Sequence, residues 1–383
     1  MKNWLFFTLL FTFFFYACKK KAPVKKEEGT TQKQPIVNPE TETKPDTIYQ
    51  TAYIDKEPRY DTAEVKRGAD IFEAFTEAVS LNDSSIVEVY HADGESKVYK
   101  GKNHNNLYKI RLFKNGKLLF AKAFTKHDFL KLEPHNGYLK ESAPSPANLK
   151  GVTADDRVLF DITFGLPDSD VGGIATLVTD IKGTPLLLQN YSHTGGSGCD
   201  GILQVTSDGK YFLNCETLYG PNGYAFNFSK PNVVHASLLT DTSFVVIYDY
   251  ILSQGYRTEE GVKVWHVERD EKTHNVVVYH VNGNRLASFR YDGFFETLGY
   301  SAPVGLIQDK FLLLDPRKKE LQTIEIAAPA IRQKIPLDQV KKLPKRIKNP
   351  AVKEVYMFTD QGYYYFYPFP ESLQYYVTQE YEK

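Results

Sequence analysis

The loop from residue 193 to residue 201 brings together side chains that could do chemistry. It reads His-Thr-Gly-Gly-Ser-Gly-Cys-Asp-Gly and places Cys199 near His193 in the chain. A cysteine and a histidine can act as a nucleophile and its base, and glycines let backbone amides approach a ligand closely. The candidate ligand-binding residues of this loop are His193, Gly195, Gly196 and Ser197.

No known catalytic motif is complete in this loop. A phosphate-binding loop ends in Gly-Lys-Ser or Gly-Lys-Thr and leads into a helix, whereas a strand-like run follows here. A nucleophile elbow has a glycine two places after its serine, and that place after Ser197 is taken by Cys199. The sequence therefore predicts no catalytic residue.

The tail from Val355 is the most aromatic segment of the chain. Strand alternation places Tyr363, Tyr365 and Tyr367 on one face, where their rings could stack on sugars or peptides. These three tyrosines are therefore candidate ligand-binding residues. The alternative is a closing pair of strands, buried on both faces, that seals the edge of a sheet.

Scattered carboxylates and histidines complete the candidates. Paired carboxylates of a glycosidase can lie far apart in sequence, and the candidates for such a pair are Asp155, Asp161, Asp168 and Glu296. The histidines at 266, 274 and 280 lack a fixed short spacing, so no metal site is predicted. No cofactor is predicted either.

Strands must position these residues, because hairpin signals run through most of the chain. Three hairpins have Asn-Gly or Asp-Gly turns, and they join Leu107–Phe113 to Leu118–Phe124, Ile202–Thr206 to Tyr211–Cys215, and Val276–Val281 to Arg285–Phe289. Turns recur at spacings of 22 to 26 residues, which indicates a four-stranded unit of about 45 residues, the size of a propeller blade. We therefore predict a mainly β, propeller-like body. A β-sandwich, or two successive β-domains that separate near Pro144–Pro146, is the alternative.

One helix is predicted at the start of this body. From Asp61 to Leu81, apolar residues recur at steps of three and four, which is typical of an amphipathic helix. We expect this helix to lie against a sheet.

The N-terminus indicates where the protein resides. Lys2 precedes an apolar run from Trp4 to Tyr16, which suits a signal peptide and is too short to span a bilayer. The run ends in Phe15-Tyr16-Ala17-Cys18, which resembles the lipobox of bacterial lipoproteins. The resemblance covers only this stretch, and it implies cleavage before Cys18 and attachment of lipid, including palmitate, to that cysteine. Because Lys19 is not aspartate, it also implies the outer membrane of a Gram-negative-type envelope, with the periplasmic or surface side left open.

The lipoprotein interpretation divides the chain and pairs its cysteines. Residues 1–17 are the signal peptide, 18–48 are the lipidated cysteine and a disordered tether, 49–145 form a first unit, and 146–383 form the propeller-like region. In an oxidising compartment, with Cys18 lipidated, Cys199 and Cys215 are candidates for a disulfide. If the hairpin pairs about Asp208-Gly209, Cys215 lies opposite Ile202, so the bond requires the glycine loop to curl back.

The balance of charges limits the kinds of partner that the protein can bind. The chain has 47 basic and 47 acidic residues, and this balance, together with the compartment, argues against nucleic acid as a partner. The mature body resembles no characterised family. We therefore expect a lipid-anchored protein of the cell envelope whose β-rich body has a binding or scaffolding role without catalysis, with an envelope glycan or a protein as its partner. A carbohydrate-active hydrolase or lyase is the alternative.

Overall fold

Strands make up most of the described chain. The computed structural model describes residues 47–51, 57–91, 98–194, 198–297, 299–349, 351–369 and 372–378. These residues form many strands and only short helices, so the fold is mainly β, as the sequence predicts. No helix within these ranges is both long enough and apolar enough to cross a membrane.

The first half of the body begins with seven strands and two short α-helices: β1 (Thr47–Thr51), β2 (Arg59–Arg67), β3 (Asp70–Ser80), β4 (Ile86–His91), β5 (Val98–Asn103), β6 (Asn106–Lys114), β7 (Lys117–Thr125), α1 (Lys126–Leu132) and α2 (Gly137–Glu141). Eight more strands follow: β8 (Asn148–Val152), β9 (Arg157–Gly165), β10 (Gly172–Asp180), β11 (Pro185–Thr194), β12 (Gln204–Val205), β13 (Phe212–Leu213), β14 (Thr217–Tyr219) and β15 (Ala225–Asn227). A 3₁₀ turn at Pro221–Gly223 precedes the last of them.

The second half continues with eight strands: β16 (Asn232–Thr240), β17 (Ser243–Asp249), β18 (Ile251–Glu259), β19 (Val262–Arg269), β20 (Val276–His280), β21 (Arg285–Phe289), β22 (Phe295–Glu296) and β23 (Tyr300–Ser301). The final eight are β24 (Val304–Ile307), β25 (Lys310–Asp315), β26 (Glu320–Glu325), β27 (Arg332–Pro336), β28 (Lys341–Lys342), β29 (Val355–Thr359), β30 (Gly362–Phe369) and β31 (Ser372–Thr378). A 3₁₀ turn, Leu337–Gln339, separates β27 from β28.

In the part of the chain that the structure describes, six four-stranded sheets follow one another. In sequence order, and called the first to the sixth sheet below, they are β2-β3-β6-β7, β11-β10-β9-β8, β12-β13-β14-β15, β16-β17-β20-β21, β24-β25-β26-β27 and β28-β31-β30-β29. Three smaller sheets lie between these strands: β1-β5-β4, β18-β19 and β22-β23. The repeated four-stranded unit is the propeller-like feature that the turn spacing predicts.

Five hydrophobic cores of described residues fill the spaces between consecutive sheets. One pair from each core, in order along the row of sheets, is Tyr108 with Phe160, Leu159 with Phe212, Leu218 with Phe244, Val245 with Phe311, and Leu312 with Phe366. Among the described residues no sixth core joins the sixth sheet to the first, so the sheets are not closed into a ring.

Strands in the middle of the row are buried on both faces. All seven residues of β17 are buried. Phe244 and Val246 enter the core shared with the third sheet, whereas Val245 and Ile247 enter the core shared with the fifth. Because neither face meets water, such a strand reads as a continuous apolar run instead of an alternating one.

The predicted hairpins are present. Strands β6 and β7 pair around Asn115 and Gly116, whose positive φ angles of 49° and 74° fit the turn type favoured in tight hairpins. Strands β12 with β13, and β20 with β21, form the other two hairpins in the predicted order.

The predicted helix over Asp61–Leu81 is wrong, because this segment forms the hairpin of β2 and β3. The chain turns at Gly68, where φ is 60°. In β3 every second residue from Phe72 to Ser80 is buried, so the period is two. Phe75 and Val79 are apolar residues on the opposite face of the strand. Together with the apolar residues of the buried face they give steps of three and four, the spacing of an amphipathic helix.

The predicted boundary between residues 145 and 146 falls between α2 and β8. The residues on its two sides share one core, in which Phe129 of α1 packs among residues of both the first and the second sheet. Two independent β-domains that separate here would not share a core. The signal peptide and nearly all of the predicted tether lie outside the described residues, and β1 begins at Thr47, inside the last two tether residues.

Candidate functional site

A disulfide joins Cys199 to Cys215, with their Cα atoms 6.1 Å apart. Gln204 pairs with Leu213, the register that a turn at Asp208-Gly209 predicts, so the loop before β12 curls back to bring Cys199 to its partner. A Cβ at Gly201 would lie 2.7 Å from the Cys215 sulfur, so the close approach depends on glycine. Both sulfur atoms are engaged in this bond, which excludes the nucleophile and base pair of Cys199 and His193.

A cleft of about 180 Å³ lies beside this disulfide. We call it the disulfide cleft, and it is lined by Tyr138, Asn190, Tyr191, Ser192, His193, Cys199, Cys215, Glu216, Ser229, Asn232 and Val233. Strand β11 supplies one wall, and Cys199, the β13–β14 connection and residues 229–233 supply another. A Cβ at Gly173 would lie 3.0 Å from the Tyr138 ring, so this glycine lets the ring pack closely against β10.

One half-buried carboxylate, Glu216, lines this cleft, and a second, Glu133, is hydrogen-bonded to the lining residue Asn190 from outside the lining. Glu216 accepts a hydrogen bond of 2.8 Å from the Gln189 amide. Glu133, at the end of α1, accepts hydrogen bonds of 3.3 Å from the backbone N–H of Asn190 and from the side-chain amide of Asn136. Among the described residues, neither carboxylate forms an ion pair with a cation.

The pKa values of both carboxylates are raised. Burial is the largest cause for Glu133, and it is also the largest cause for Glu216. The charge of Glu133 raises the pKa of Glu216 further. A carboxyl group that is partly desolvated and close to a like charge holds its proton more tightly.

Side-chain amides hold the Glu216 loop in place. The Asn214 side-chain oxygen accepts hydrogen bonds of 2.9 Å from the backbone N–H groups of Glu216 and Thr217. Its amide group donates to the Gln189 side-chain oxygen at 3.2 Å. Gln189 therefore connects Glu216 and Asn214 to β11. The side chains that hold Glu216 in this network are uncharged amides.

Asp161 lies behind the cleft wall. The Tyr191 hydroxyl donates to it at 3.0 Å, and the Lys150 ammonium is 3.7 Å away. Burial raises the pKa of Asp161 to about 6. Asp161 therefore takes up a proton under mildly acidic conditions while supporting Tyr191 in the wall.

A second cleft of about 730 Å³ lies between the fourth and fifth sheets. We call it the charged cleft, and its ionisable lining residues are Arg269, Glu271, Arg290, Asp292, Glu296, Asp315, Arg317 and Lys318. Arg269 contacts buried Asp249 at 2.9 Å and Glu296 at 3.1 Å. Lys318 contacts Asp292 at 2.7 Å. Opposite charges thus pair with each other in this cleft.

The other carboxylates predicted from sequence do not converge on one site. Asp155 pairs with Arg157 at 2.9 Å in the second sheet, and Glu296 belongs to the charged cleft. Asp168 lies in the turn between β9 and β10. Only Asp161 of the four adjoins the disulfide cleft.

The loop and tail candidates have different outcomes. His193 is exposed on the rim of the disulfide cleft, whereas residues 195–197 and Cys18 lie outside the described residues. Tyr363 and Tyr365 are half-buried, and the Arg346 guanidinium lies 4.0 Å from the centre of the Tyr365 ring. Tyr367 is fully buried and its hydroxyl accepts from a backbone N–H, so its prediction as a ligand-binding residue is corrected. The chain after β28 folds back onto this face and covers that ring.

Sequence reasoning missed Glu133, Asn190 and Glu216. Glu216 directly follows Cys215, so a disulfide at that cysteine was a signal that its neighbour is held rigidly. Glu133 offered no such signal, because its place at the cleft depends on how the end of α1 packs against β11. Histidines 266 and 280 lie on β19 and β20, and no group of three metal-binding side chains occurs in the described ranges.

Part of the chain matches a family model whose role is unknown. Residues 39–184 match a domain of unknown function, DUF4738. The match covers the first sheet and most of the second, and it ends in the turn between β10 and β11. Glu133 lies within the match and Glu216 beyond it. No curated protein matches this chain.

Two solved structures resemble the chain weakly. The beta-propeller domain of the Trilobed protease from Pyrococcus furiosus has 11% identity and a TM-score of 0.22, covering 82% of this chain and 91% of that one. AztD from Citrobacter koseri has 14% identity and a TM-score of 0.22, covering 72% of this chain and 86% of that one. Similarity at this level carries no argument about the site.

Proposed function

We propose that this protein is anchored to the cell envelope through a lipid on Cys18 and that its β-rich body binds an envelope glycan in the disulfide cleft. The observation that carries the binding role is the pair of carboxylates Glu133 and Glu216, which are partly desolvated and are held by amides instead of cations. Carboxylates of this kind accept hydrogen bonds readily, and the hydroxyl groups of a sugar donate them.

The other lining groups suit the same ligand. Asn190 and Asn232 supply amide groups, and Tyr138 supplies an aromatic ring. A few placed polar groups around a concave site are typical of a small-molecule site. The volume of about 180 Å³ is below that of drug-sized pockets, so the cleft is expected to hold one sugar unit of a longer glycan.

The anchor rests on the sequence of the N-terminus. The apolar run that ends in Ala17-Cys18 resembles a lipoprotein signal. Stable attachment to a membrane requires more than one acyl chain, and a lipidated N-terminal cysteine supplies it. Because the residue after Cys18 is Lys19 and not aspartate, we expect the anchor to lie in the outer membrane.

The glycan role is tested with the purified full-length protein in detergent on an array of glycans and peptidoglycan fragments. We expect one class of glycan to bind, and Glu216→Gln to weaken that binding by at least about tenfold, because an amide replaces a strong acceptor. Glu259→Gln, an exposed glutamate on β18, is the control and should bind normally. Absence of any bound glycan would overturn the proposal and point to a protein partner.

The anchor has a separate test. Cys18→Ala should abolish incorporation of labelled palmitate and release the protein from the membrane fraction. A variant with Cys199→Ser and Cys215→Ser should still incorporate the label. Unchanged labelling of Cys18→Ala would end the lipoprotein interpretation.

The same two carboxylates favour one alternative, a glycosidase. A glutamate with a raised pKa can act as a general acid while its neighbour acts as a base or nucleophile. Release of reducing ends from a bound glycan, lost in Glu133→Gln and in Glu216→Gln, would establish this activity. Binding without release would favour the non-enzymatic role.

A further inference from the structure

A long hairpin projects from the fourth sheet. Strands β18 and β19 pair with each other over eight positions and with no other strand in the described ranges. Glu260 and Gly261 form its tight turn, with φ angles of 49° and 84°. None of its residues belongs to the five hydrophobic cores. An isolated two-stranded hairpin is marginally stable in water at best, so packing within the body does not explain its apolar residues.

Large apolar side chains of this hairpin face solvent. Tyr256 is 71% exposed and Trp265 is 52% exposed, and they are opposite each other in the strand register. Their rings contact edge to face, with centroids 5.0 Å apart. Leu252 is exposed as well, and Val262 and Val264 are exposed on the opposite face of the hairpin. Exposed apolar surface of this kind marks an interaction site more often than an inert face.

The two faces of the hairpin differ in charge. The register places Gln254, Thr258 and Lys263 on the face of Tyr256 and Trp265. Alternation along β19 adds Arg269 at the base of the hairpin, where it pairs with Asp249 and Glu296, so beyond the base Lys263 is the single charge of this aromatic face. The opposite face carries four ionisable residues: Arg257, Glu259, His266 and Glu268. One face can therefore leave water at little electrostatic cost, whereas the other stays solvated.

The chemistry of the aromatic face suits the surface of a bilayer. Tryptophan and tyrosine concentrate at the membrane–water interface, where an apolar ring lies next to a polar group. Small ligands prefer concave sites, and neither the disulfide cleft nor the charged cleft includes the two aromatic residues. A projecting face with two aromatic rings and one lysine is shaped for a flat partner.

The chain also keeps the body close to a membrane. Residues 19–46 separate the proposed lipid attachment at Cys18 from the start of β1. Fully extended, this length of chain reaches at most about 100 Å. A lipid-anchored body is thus confined near a bilayer, where even weak contacts of the hairpin are repeated at high effective concentration.

We propose that the aromatic face of the β18–β19 hairpin, centred on Tyr256 and Trp265, docks onto the lipid surface to which the protein is anchored. The contact is with lipid itself and orients the body relative to the membrane. This inference rests on the proposed anchor for its location, but the hairpin binds lipid without the anchor. The near balance of charges around the hairpin makes the contact independent of anionic lipid.

The test uses the chain from Lys19 to Lys383, which lacks the lipid and contains every described element. Trp265 is its only tryptophan, because the other one in the chain is Trp4. Adding phosphatidylcholine vesicles should shift Trp265 fluorescence to shorter wavelength, and brominated phosphatidylcholine should quench it. Vesicles that also contain phosphatidylglycerol should give the same shift.

Matched variants identify the docking face. Tyr256→Ser should reduce the fraction that sediments with vesicles by about tenfold, because it removes half of the aromatic contact. Tyr356→Ser is the control, since Tyr356 is equally exposed on the sixth sheet, and it should sediment as the unaltered chain does.

Three results would overturn the inference: no shift with either vesicle, equal losses in the two variants, or a shift caused by envelope proteins and not by lipid. The anchor is judged independently, because palmitate labelling of Cys18 does not depend on Tyr256. Labelling without vesicle binding would reject the hairpin contact and leave the anchor in place.

Discussion

The disulfide cleft and the charged cleft are both lined by ionisable residues, but they differ in whether their buried and half-buried carboxylates face cations. In the charged cleft, Asp249 and Glu296 face Arg269, and Asp292 faces Lys318. At the disulfide cleft, the lining residue Glu216 and the adjacent Glu133 are held by amides.

This difference in charge pairing suggests a stabilising role for the charged cleft and a binding role for the disulfide cleft. Opposite charges that already satisfy one another stabilise the seam between two sheets and offer little to a ligand. Carboxylates held by neutral amides carry a desolvation cost that the fold does not offset, and a ligand that donates hydrogen bonds can offset it. Removing charges should therefore damage stability in the charged cleft and binding in the disulfide cleft.

The largest effect is expected in the charged cleft. Arg269→Met leaves the carboxylate of Asp249, which is 2% exposed, without its cation. The free energy of unfolding should fall by about 3–5 kcal/mol, because an uncompensated buried charge remains. Urea denaturation measures it, with exposed Arg285→Met as the control. A loss similar to that of the control would show that the charged cleft does not depend on its ion pairs.

The disulfide is the next test. Replacing both cysteines with Cys199→Ser and Cys215→Ser should lower the free energy of unfolding by about 3 kcal/mol, as expected for a loop of this length. Glycan binding should fall as well, because the bond holds the Glu216 loop. Thermal unfolding of the oxidised and reduced wild-type protein provides the comparison. Equal stability of the two forms would contradict this role.

Asp161, behind the wall of the disulfide cleft, makes the stability of the protein depend on pH. Its pKa is about 6 in the folded protein, against 3.8 as the ordinary value. The folded state binds more protons between these values, so the stability due to Asp161 falls as pH rises through this window.

Asp161→Asn removes this titration. Between roughly pH 4 and pH 8, the free energy of unfolding of the variant should rise by about 2 kcal/mol relative to that of the wild type. The Asn side-chain oxygen can still accept from Tyr191. Denaturation across this pH range measures the gain, and Asp360→Asn, at an exposed turn, is the control. A constant difference across pH would contradict the raised pKa.

The smallest effect on stability separates the two clefts most clearly. Glu216→Gln should change the free energy of unfolding by no more than about 0.5 kcal/mol, since it removes a charge that has no cation. The same variant should lose glycan affinity, whereas Arg269→Met should retain it in the folded fraction. Calorimetric titration of both variants checks the contrast, which fails if Glu216→Gln destabilises the protein as much as Arg269→Met does.

Local chemistry made much of the fold predictable. Asn115-Gly116 and Asp208-Gly209 mark hairpins because few other residue pairs adopt the required backbone angles, and the strands on either side pair as expected. The spacing of such turns predicted the four-stranded unit. The helix over Asp61–Leu81 failed, because apolar residues on both faces of β3 produce steps of three and four as well as two.

The sequence by itself determined most of the strands after residue 106, the hairpin turns, the pairing register around Gly209 and the two cysteines available to each other. Only the tertiary structure decided that Glu133 lies next to the cleft that Glu216 lines, that Tyr367 is covered and that Trp265 is not. The physical reason is distance along the chain. Turn and strand preferences act between neighbouring residues, whereas a cleft between sheets is set by how their buried faces pack, and no local pattern records that.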